Sequence, residues 1–271
     1  MIKAIFFDID GTLVSLDHEH FMPESTKRAL NQAKANGHKI FINTGRVKTA
    51  IDKSLLNFGF DGLVCGCGTY AEYMGETIFH QTLTKEQCLE QAEVLRKCKF
   101  HTIFEKKDRL FIEGEYGPGS FLEYIYNYFS KNSDYPIEGP DSPDFSFDKF
   151  TTAQMPESDE KTFFQYFSKD YNLIPHFNNV YEVVRKGCTK ATGIQKVIEH
   201  LGADLSQCYA FGDSVNDMEM LKYVPHSVGM GNAVDEVLSV VEYQTTDILE
   251  NGIENHVCLR GNRKDILELY K

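Results

Sequence analysis

Apolar runs alternate with amphipathic stretches in the first quarter of the chain. Residues 2–7, IKAIFF, predict a strand of the kind that a parallel sheet covers on both faces. A helix is predicted over residues 24–36, because Pro23 precedes it and Gly37 is a suitable residue to end it. Further strands are predicted within residues 38–46 and 62–68. Strand, helix and strand in this order predict a doubly wound parallel sheet.

The same alternation returns in the last third of the chain. Thr189 as N-cap and Gly202 as end residue bound a predicted helix with one apolar face. An apolar strand then leads into an acidic loop over residues 208–217, CYAFGDSVND. Another strand and helix are predicted over residues 226–233 and 234–241. These segments resume the strand and helix pattern of the first third.

The middle of the chain has a different pattern. Helices are predicted over residues 84–98, 119–131 and 158–168, with short strands between them. About a hundred residues are far more than a normal connection within a βαβ unit. We therefore predict an α/β protein with a doubly wound, Rossmann-like core over residues 1–82 and 186–271. An α+β cap domain is expected over residues 83–185.

One of these cap helices is rich in aromatic residues, FLEYIYNYF over residues 121–129. Such a stretch could form a ligand platform. The helical spacing of Phe121, Tyr124, Ile125 and Tyr128 instead favours a face that packs on the core of the domain.

Composition narrows the class of protein and its partners. The 271 residues are 42% hydrophobic and 25% charged, as in an ordinary globular protein. The net charge of −12 argues against nucleic acid or an anionic membrane as a partner. No apolar run is long enough for a membrane span, and the N-terminus lacks a secretory signal pattern. Seven scattered cysteines indicate reduced thiols, so a cytoplasmic protein is expected.

Two aspartates follow the first predicted strand. Asp8 and Asp10 project to the same side of the chain, because residues two apart on a strand share a face. The carboxyl ends of parallel strands form the crevice where α/β sheets bind ligands. Two adjacent carboxylates repel each other unless a cation or a proton neutralises them. The motif alone is also compatible with an ordinary acidic turn.

A second acidic loop changes that interpretation. Asp213 and Asp217 come directly after another apolar strand. If the two strands are neighbours, Asp8, Asp10 and Asp213 converge on one site. Mg²⁺ prefers oxygen ligands and takes the rest of its shell from water and substrate phosphate. The sequence therefore predicts a magnesium site at Asp8, Asp10 and Asp213.

Two further segments are suited to a phosphoryl group. Thr44 offers a hydroxyl at the end of the second strand, and the amides of Gly45 and Arg46 are placed to meet an anion. Lys190 offers a compact positive charge at the start of a helix. Each of these signals is weak when taken alone.

Taken together, the motifs resemble those of the haloacid dehalogenase superfamily of phosphohydrolases. Within it, the chain is similar to the Cof-type group (subfamily IIB), which carries a large C2-type cap between the second and third motifs. The matching segments are DIDGT 8–12, NTGR 43–46, Lys190, GDSVND 212–217, GMGNA 229–233 and ENGI 250–253. One departure is Cys67-Gly68, at a position where these proteins often have Asn-Gly.

The resemblance implies a mechanism and an assignment of roles. Asp8 is expected to attack phosphorus and form an aspartyl-phosphate, while Asp10 acts as general acid and then as general base. The metal is expected on the Asp8 carboxylate, the Asp10 carbonyl and Asp213, with support from Asp217 and Asn216. The groups expected to bind substrate are Thr44, Gly45, Arg46, Lys190 and Asn216.

The expected activity is Mg²⁺-dependent hydrolysis of small phosphorylated metabolites, sugar phosphates above all, by a monomer or weak homodimer. A phosphomutase remains open, since it would use the same nucleophile and return the phosphoryl group to its sugar. A non-catalytic binding protein of the same fold is a second alternative. A receiver domain is disfavoured, because it lacks an acid at the position of Asp10 and has no cap.

Overall fold

The chain divides into two units, each built from strands and helices. The computed structural model describes residues 3–17, 20–114, 119–132, 134–175 and 179–258. The first unit contains residues Met1–Gly45, Phe60–Phe79 and Thr189–Lys271, and the second contains Arg46–Gly59 and His80–Cys188. No helix within the described ranges combines the length and the apolar character needed to cross a membrane. The domain boundaries drawn from the sequence pattern stay a prediction.

The elements are numbered here in chain order. The strands are β1 (Ala4–Phe7), β2 (Lys39–Asn43), β3 (Gly62–Cys65), β4 (Tyr70–Tyr73), β5 (Glu76–His80), β6 (Phe100–Lys106), β7 (Arg109–Glu113), β8 (Ile137–Glu138), β9 (Lys149–Gln154), β10 (Tyr171–Pro175), β11 (Val180–Arg185), β12 (Cys208–Gly212), β13 (His226–Gly229) and β14 (Tyr243–Gln244). The helices are α1 (Glu24–Ala35), α2 (Lys53–Leu56), α3 (Lys85–Lys97), α4 (Phe121–Asn132), α5 (Glu160–Phe167), α6 (Lys190–Leu201), α7 (Met218–Tyr223), α8 (Asp235–Leu238) and α9 (Gly252–Cys258).

The first unit is built on an eight-stranded sheet in the order β14-β13-β12-β1-β2-β3-β4-β5. The six strands from β14 to β3 pair in parallel, which confirms the predicted fold class. The sheet is not parallel throughout, because β4 pairs antiparallel with β3. This edge was not predicted, since its residues lack a clear pattern of apolar positions.

Large apolar side chains fix the helices on the sheet. Phe6 of β1 and Phe41 of β2 are fully buried and stack with ring centroids 4.9 Å apart. Ile194 and Val197 of α6 belong to the same buried cluster. The apolar face predicted for this helix therefore packs on the centre of the sheet.

Helix α6 begins and ends where the sequence predicts. The Thr189 hydroxyl accepts a hydrogen bond from the Thr192 amide at 3.1 Å, and the Thr192 hydroxyl accepts one from the Thr189 amide at 2.9 Å. This reciprocal cap satisfies two amide donors that the first turn leaves open. Gly202 ends the helix in the left-handed region at φ 59°. The cap fixes the first turn, and with it the backbone of Lys190.

The second unit contains a six-stranded sheet in the order β10-β11-β9-β6-β7-β8. One face of it carries an aromatic core, whose fully buried phenylalanines are Phe104, Phe111, Phe145, Phe147, Phe150, Phe163 and Phe167. The predicted cap helices correspond to α3, α4 and α5. In α4, Leu122 and Phe129 face a buried cluster, but Tyr124 is 68% exposed. The predicted core face of α4 is therefore wrong at Tyr124.

A tight turn after β3 lies against the cap of α6. Gly68 has φ +84°, and a Cβ placed on it would come within 2.1 Å of the Thr189 carbonyl oxygen. Gly75, in the turn between β4 and β5, has nearly the same φ of +82°, but a Cβ there would meet nothing within 4 Å. The two glycines therefore differ in crowding and not in backbone conformation.

This pair gives a matched test of how closely the turn and the helix pack. We expect Gly75→Ala to lower the free energy of unfolding by about 1–2 kcal/mol, because the left-handed region is unfavourable for alanine. Gly68→Ala carries the same penalty and should lose about 1–3 kcal/mol more, since the turn must move away from Thr189. Urea unfolding of both variants measures the difference. Equal losses would contradict the contact.

Candidate active site

The carboxyl ends of β1 and β12 meet at the centre of the parallel sheet. These strands are neighbours, with Phe7 paired to Phe211. Asp8 follows β1 directly, and its amide donates a hydrogen bond to the Phe211 carbonyl oxygen at 3.1 Å. Asp213 follows β12 directly. The strand order therefore brings the first and last acidic motifs together at the carboxyl-terminal edge of the central strands, which is the edge meant below.

Three carboxylates gather at this edge. Asp8, Asp213 and Asp217 each offer an oxygen, and the three oxygens lie within 4.8 Å of one another. All three residues are buried, and Asp217 has no exposed surface. A buried group of acids at this spacing needs positive charge nearby, because the low dielectric strengthens their repulsion.

Lys190 supplies part of that charge. Its Nζ donates to Asp8 Oδ1 at 2.6 Å and to Asp217 Oδ1 at 2.5 Å. A longer contact of 3.4 Å reaches Asn216 Oδ1. Lys190 is only 2% exposed, so its ammonium is held by these oxygens rather than by solvent. The site thus contains two buried ion pairs that share one lysine.

The charges in this cluster do not balance. One ammonium faces three carboxylates, so full ionisation leaves two negative charges uncompensated. Burial raises the pKa of Asp8 well above its ordinary value, although Lys190 opposes the rise. Burial and then the Asp217 carboxylate raise the pKa of Asp213 to about 7. Burial would lower the pKa of Lys190, but Asp217 and Asp8 raise it above its usual value.

Asp217 uses its second oxygen to shape the acidic loop. Asp217 Oδ2 accepts hydrogen bonds from the amides of Asp213 and Ser214, each at 3.0 Å. Gly212 leaves room for this carboxylate, since a Cβ there would lie 2.8 Å from Asp217 Oδ2. Asp217 therefore holds the loop with one oxygen and Lys190 with the other.

The first motif contacts Asp213 from the other side. The Thr12 hydroxyl donates to Asp213 Oδ1 at 2.9 Å. Gly11 has φ +84°, and a Cβ on it would lie 2.3 Å from Asp213 Oδ2. Only glycine allows the Asp213 carboxylate to lie against the backbone of this turn.

The donor set is suited to a hard divalent cation. Carboxylate oxygens are the ligands that Mg²⁺ prefers, and the cluster has a surplus of negative charge. The room that Gly11 leaves for Asp213 keeps this carboxylate beside the first motif. Asp10 is half-buried two residues after Asp8, and it is not one of the three clustered carboxylates. Its side chain is close enough to Asp213 to contribute to the raised pKa of that group.

The predicted phosphoryl-binding residues lie in different surroundings. Thr44 is buried directly after β2, and its carbonyl oxygen accepts a hydrogen bond from the Cys67 amide at 3.2 Å. Gly45 follows it and is half-buried. Arg46 belongs to the second unit, where it donates to the Ala50 carbonyl oxygen at 3.1 Å. The role of Arg46 in binding substrate stays a prediction.

Cys67 stands where the family resemblance leads us to expect asparagine, and its backbone contributes to the turn after β3. It is buried and adopts φ 53°, in the left-handed region, within the turn that follows β3. Its amide binds Thr44, as described above. The backbone of this turn therefore supports Thr44 whatever the side chain of residue 67 contributes.

Two asparagines position the site, and sequence reasoning did not single them out. The Asn43 side chain donates to the Lys190 carbonyl oxygen at 3.0 Å. Asn232 donates to the Gly11 carbonyl oxygen at 2.8 Å and accepts from the Ile248 amide at 3.0 Å. Asn43 lies in the motif NTGR and Asn232 in GMGNA. Their presence in these motifs was the feature of the sequence that could have indicated a role at the site.

Comparison with known proteins identifies the family. A family model described as haloacid dehalogenase-like hydrolase matches residues 5–257. The chain belongs to this family, as its motifs predicted, and it is an enzyme of the phosphoric monoester hydrolase class.

The relatives are similar over most of their length. YkrA of Bacillus subtilis (strain 168), which is provisionally named a phosphatase, is 29% identical over 255 residues. The alignment covers 93% of this chain and 95% of YkrA. A solved structure described as the HAD subclass IIB sugar phosphatase BT4131 is 30% identical, with a TM-score of 0.78 over 96% of this chain and 99% of that one. A hypothetical protein from Geobacillus kaustophilus HTA426 is 27% identical, with a TM-score of 0.83 and coverage of 96% and 98%.

The double function of Asp217 gives a test of the site's architecture. We expect Asp217→Ala to lower the free energy of unfolding by about 1–3 kcal/mol, because it leaves the amides of Asp213 and Ser214 without partners while Lys190 keeps its ion pair with Asp8. Chemical unfolding measures this loss. Glu199→Ala, which removes an exposed partner of Lys196, is the control and should have no measurable effect. Similar stability of the two variants would show that Asp217 does not hold the loop.

Proposed function

We propose that this enzyme is a Mg²⁺-dependent phosphatase that hydrolyses small phosphorylated metabolites through an aspartyl-phosphate. The observation that carries the proposal is the buried group of Asp8, Asp213 and Asp217 around Lys190. A carboxylate nucleophile, a lysine and a surplus of negative charge for a cation are the parts that phosphoryl transfer requires.

Asp8 is the proposed nucleophile. Lys190 holds Asp8 Oδ1 at 2.6 Å, which restricts rotation of the carboxyl group. Among the described residues, Asp8 Oδ2 accepts no hydrogen bond, so this oxygen is available for attack. Attack on phosphorus forms the Asp8–phosphate bond and breaks the bond to the leaving oxygen of the substrate. Water then hydrolyses the acyl phosphate and restores the carboxylate.

Asp10 is the proposed general acid and base. It lies two residues beyond the nucleophile and is half-buried, so it remains accessible to the leaving group. In the first step it gives a proton to the departing oxygen, and in the second it takes a proton from the attacking water. After it has given up its proton in the first step, Asp10 is a carboxylate. This is the form that accepts a proton from water in the second step.

Asp8, Asp213 and the carbonyl of Asp10 are the proposed holders of Mg²⁺, with Asp217 and Asn216 in support. When bound, the cation neutralises negative charge on the phosphoryl group and on the carboxylates around it. Lys190 and Thr44 bind phosphoryl oxygens, while the amides of Gly45 and Arg46 add donors. Asp217 keeps the Lys190 ammonium oriented toward this site.

The proposed substrates are small phosphate monoesters, with sugar phosphates as the first class to examine. Support comes from the structure described as a subclass IIB sugar phosphatase, which is 30% identical to this chain. A relative from Yersinia pseudotuberculosis (strain IP 31758) is named HMP-PP phosphatase, and it is 26% identical over 242 residues, so the family accepts other organic phosphates.

We propose that the enzyme acts in the cytoplasm as a monomer or weak homodimer, without nucleic acid or membrane as a partner. The buried free thiols, Cys65 and Cys208 among them, accord with a reducing compartment.

Replacing the nucleophile tests the reaction directly. We expect Asp8→Asn to abolish turnover of p-nitrophenyl phosphate, because an amide does not form the acyl phosphate. Release of nitrophenolate measures the rate, and circular dichroism checks that the variant is folded. Asp141→Asn, at an exposed position of the second unit, is the control and should keep full activity. Turnover by folded Asp8→Asn would reject the assignment.

Removal of metal tests the cation. Protein dialysed against EDTA should lose phosphatase activity, and added Mg²⁺ should restore it. Asp213→Asn should require a higher Mg²⁺ concentration for half-maximal rate, because the site loses one charged ligand. Asp235→Asn changes an exposed acid at the start of α8 and should leave the Mg²⁺ requirement unchanged. Full activity of wild-type protein in EDTA would contradict the proposal.

A further inference from the structure

Asn43 is a polar residue in apolar surroundings at the end of β2. It has no exposed surface. Val64 is its partner on β3, and the sulfur of Met220 on α7 lies 3.4 Å from Asn43 Nδ2. Val64 and Met220 belong to the same buried apolar cluster. A carboxamide in such surroundings is unfavourable unless its polar atoms are paired.

The two polar atoms of Asn43 differ in their pairing. Nδ2 donates to the Lys190 carbonyl oxygen at 3.0 Å. Oδ1 has no hydrogen-bond partner among the residues that the structure describes. Turning the carboxamide over would not help, because the Lys190 carbonyl oxygen is an acceptor and needs a donor. The bond to Lys190 therefore fixes the orientation that leaves Oδ1 without a partner.

This arrangement is a poor source of stability. A neutral hydrogen bond contributes little net free energy, and a buried acceptor without a partner costs at least as much as such a bond contributes. Leucine has nearly the shape of asparagine and would avoid that cost. Stability therefore does not explain an asparagine at position 43, and a local rule broken in this way points to a functional position.

The bond connects the two segments that carry the proposed phosphoryl-binding groups. Thr44 follows Asn43 directly, and its amide donates to the Val64 carbonyl oxygen at 2.9 Å. Lys190 is the first residue of α6. Asn43 therefore ties the end of β2, which carries Thr44, to the helical turn that carries Lys190. These residues all belong to the first unit.

We infer that Asn43 is a positioning residue for phosphoryl transfer, an inference that rests on the function proposed above. Asn43 holds the backbone of Lys190, whose ammonium lies 2.6 Å from Asp8 Oδ1 at the other end of the residue. It needs no contact with substrate, because it acts through Lys190. Charge in the transition state is stabilised by groups that are already in place, so a small shift of Lys190 lowers kcat more than it weakens substrate binding.

Asn43→Leu keeps the shape of the side chain and removes both polar atoms. With p-nitrophenyl phosphate and Mg²⁺, its kcat should fall about tenfold, while KM stays within about twofold. Its urea midpoint should be no lower than that of the wild type, because the unpartnered oxygen is gone. Asn255→Leu is the matched control, since Asn255 Nδ2 also donates to a backbone carbonyl oxygen, that of Glu250, at 2.7 Å. It should leave kcat unchanged.

The Lys190 ammonium provides a readout that does not depend on turnover. NMR of full-length protein with nitrogen-15 lysine is recorded with Mg²⁺ and without substrate, and the Nζ signal of Lys190 is identified by its loss in Lys190→Arg. Asn43→Leu should shift this signal, because the first turn of α6 loses a contact. Asn255→Leu should leave it in place.

These measurements separate the inference from the proposed function. A wild-type protein without phosphatase activity would reject the function, and the Lys190 signal would still decide on Asn43. The inference is overturned if Asn43→Leu leaves that signal unshifted, or if an active wild type and Asn43→Leu have equal kcat. A urea midpoint clearly below that of the wild type overturns it too, since Asn43 would then serve stability.

Discussion

The candidate site of the first unit depends on one ammonium placed among three buried carboxylates. Lys190 reaches Asp8 and Asp217, and Asp213 completes a group that one positive charge does not neutralise. Such an arrangement is unfavourable without further positive charge, because little solvent reaches it. A divalent cation would supply the positive charge that is lacking here. Phosphoryl transfer requires positive charge at the same place. Stability and chemistry are therefore linked at this point of the sheet.

The surrounding structure holds these charges by directional contacts. The parallel register of β1 and β12 places Asp8 and Asp213 side by side, and the reciprocal threonine cap fixes the first turn that carries Lys190. Gly11 and Gly212 remove side-chain bulk where carboxylates lie against backbone. Asparagines then tie the loops together through their amides. Within the acidic group, hydrogen bonds reach one oxygen of Asp8, one oxygen of Asp213 and both oxygens of Asp217.

The sequence predicted those parts of the site that local patterns determine. Apolar strands that end in Asp8 and Asp213, and a capped helix that begins at Lys190, were visible as motifs. The antiparallel edge strand β4 was not, because its pairing with β3 depends on a turn and not on a run of apolar residues. The contacts of Asn232 with Gly11 and Ile248 join distant segments, so spacing alone did not predict them. Tyr124 had helical core spacing but is exposed, since α4 packs on its sheet through Leu122 and Phe129.

A crystal structure with Mn²⁺ in place of Mg²⁺ tests the central claim most directly, because anomalous scattering locates the ion without ambiguity. We predict one strong peak in contact with the carboxylates of Asp8 and Asp213, with Lys190 still bound to Asp217. An anomalous peak away from both carboxylates, or none at saturating Mn²⁺, would contradict the account. Either result would mean that the uncompensated charge of this group is not the place where the enzyme binds its cation.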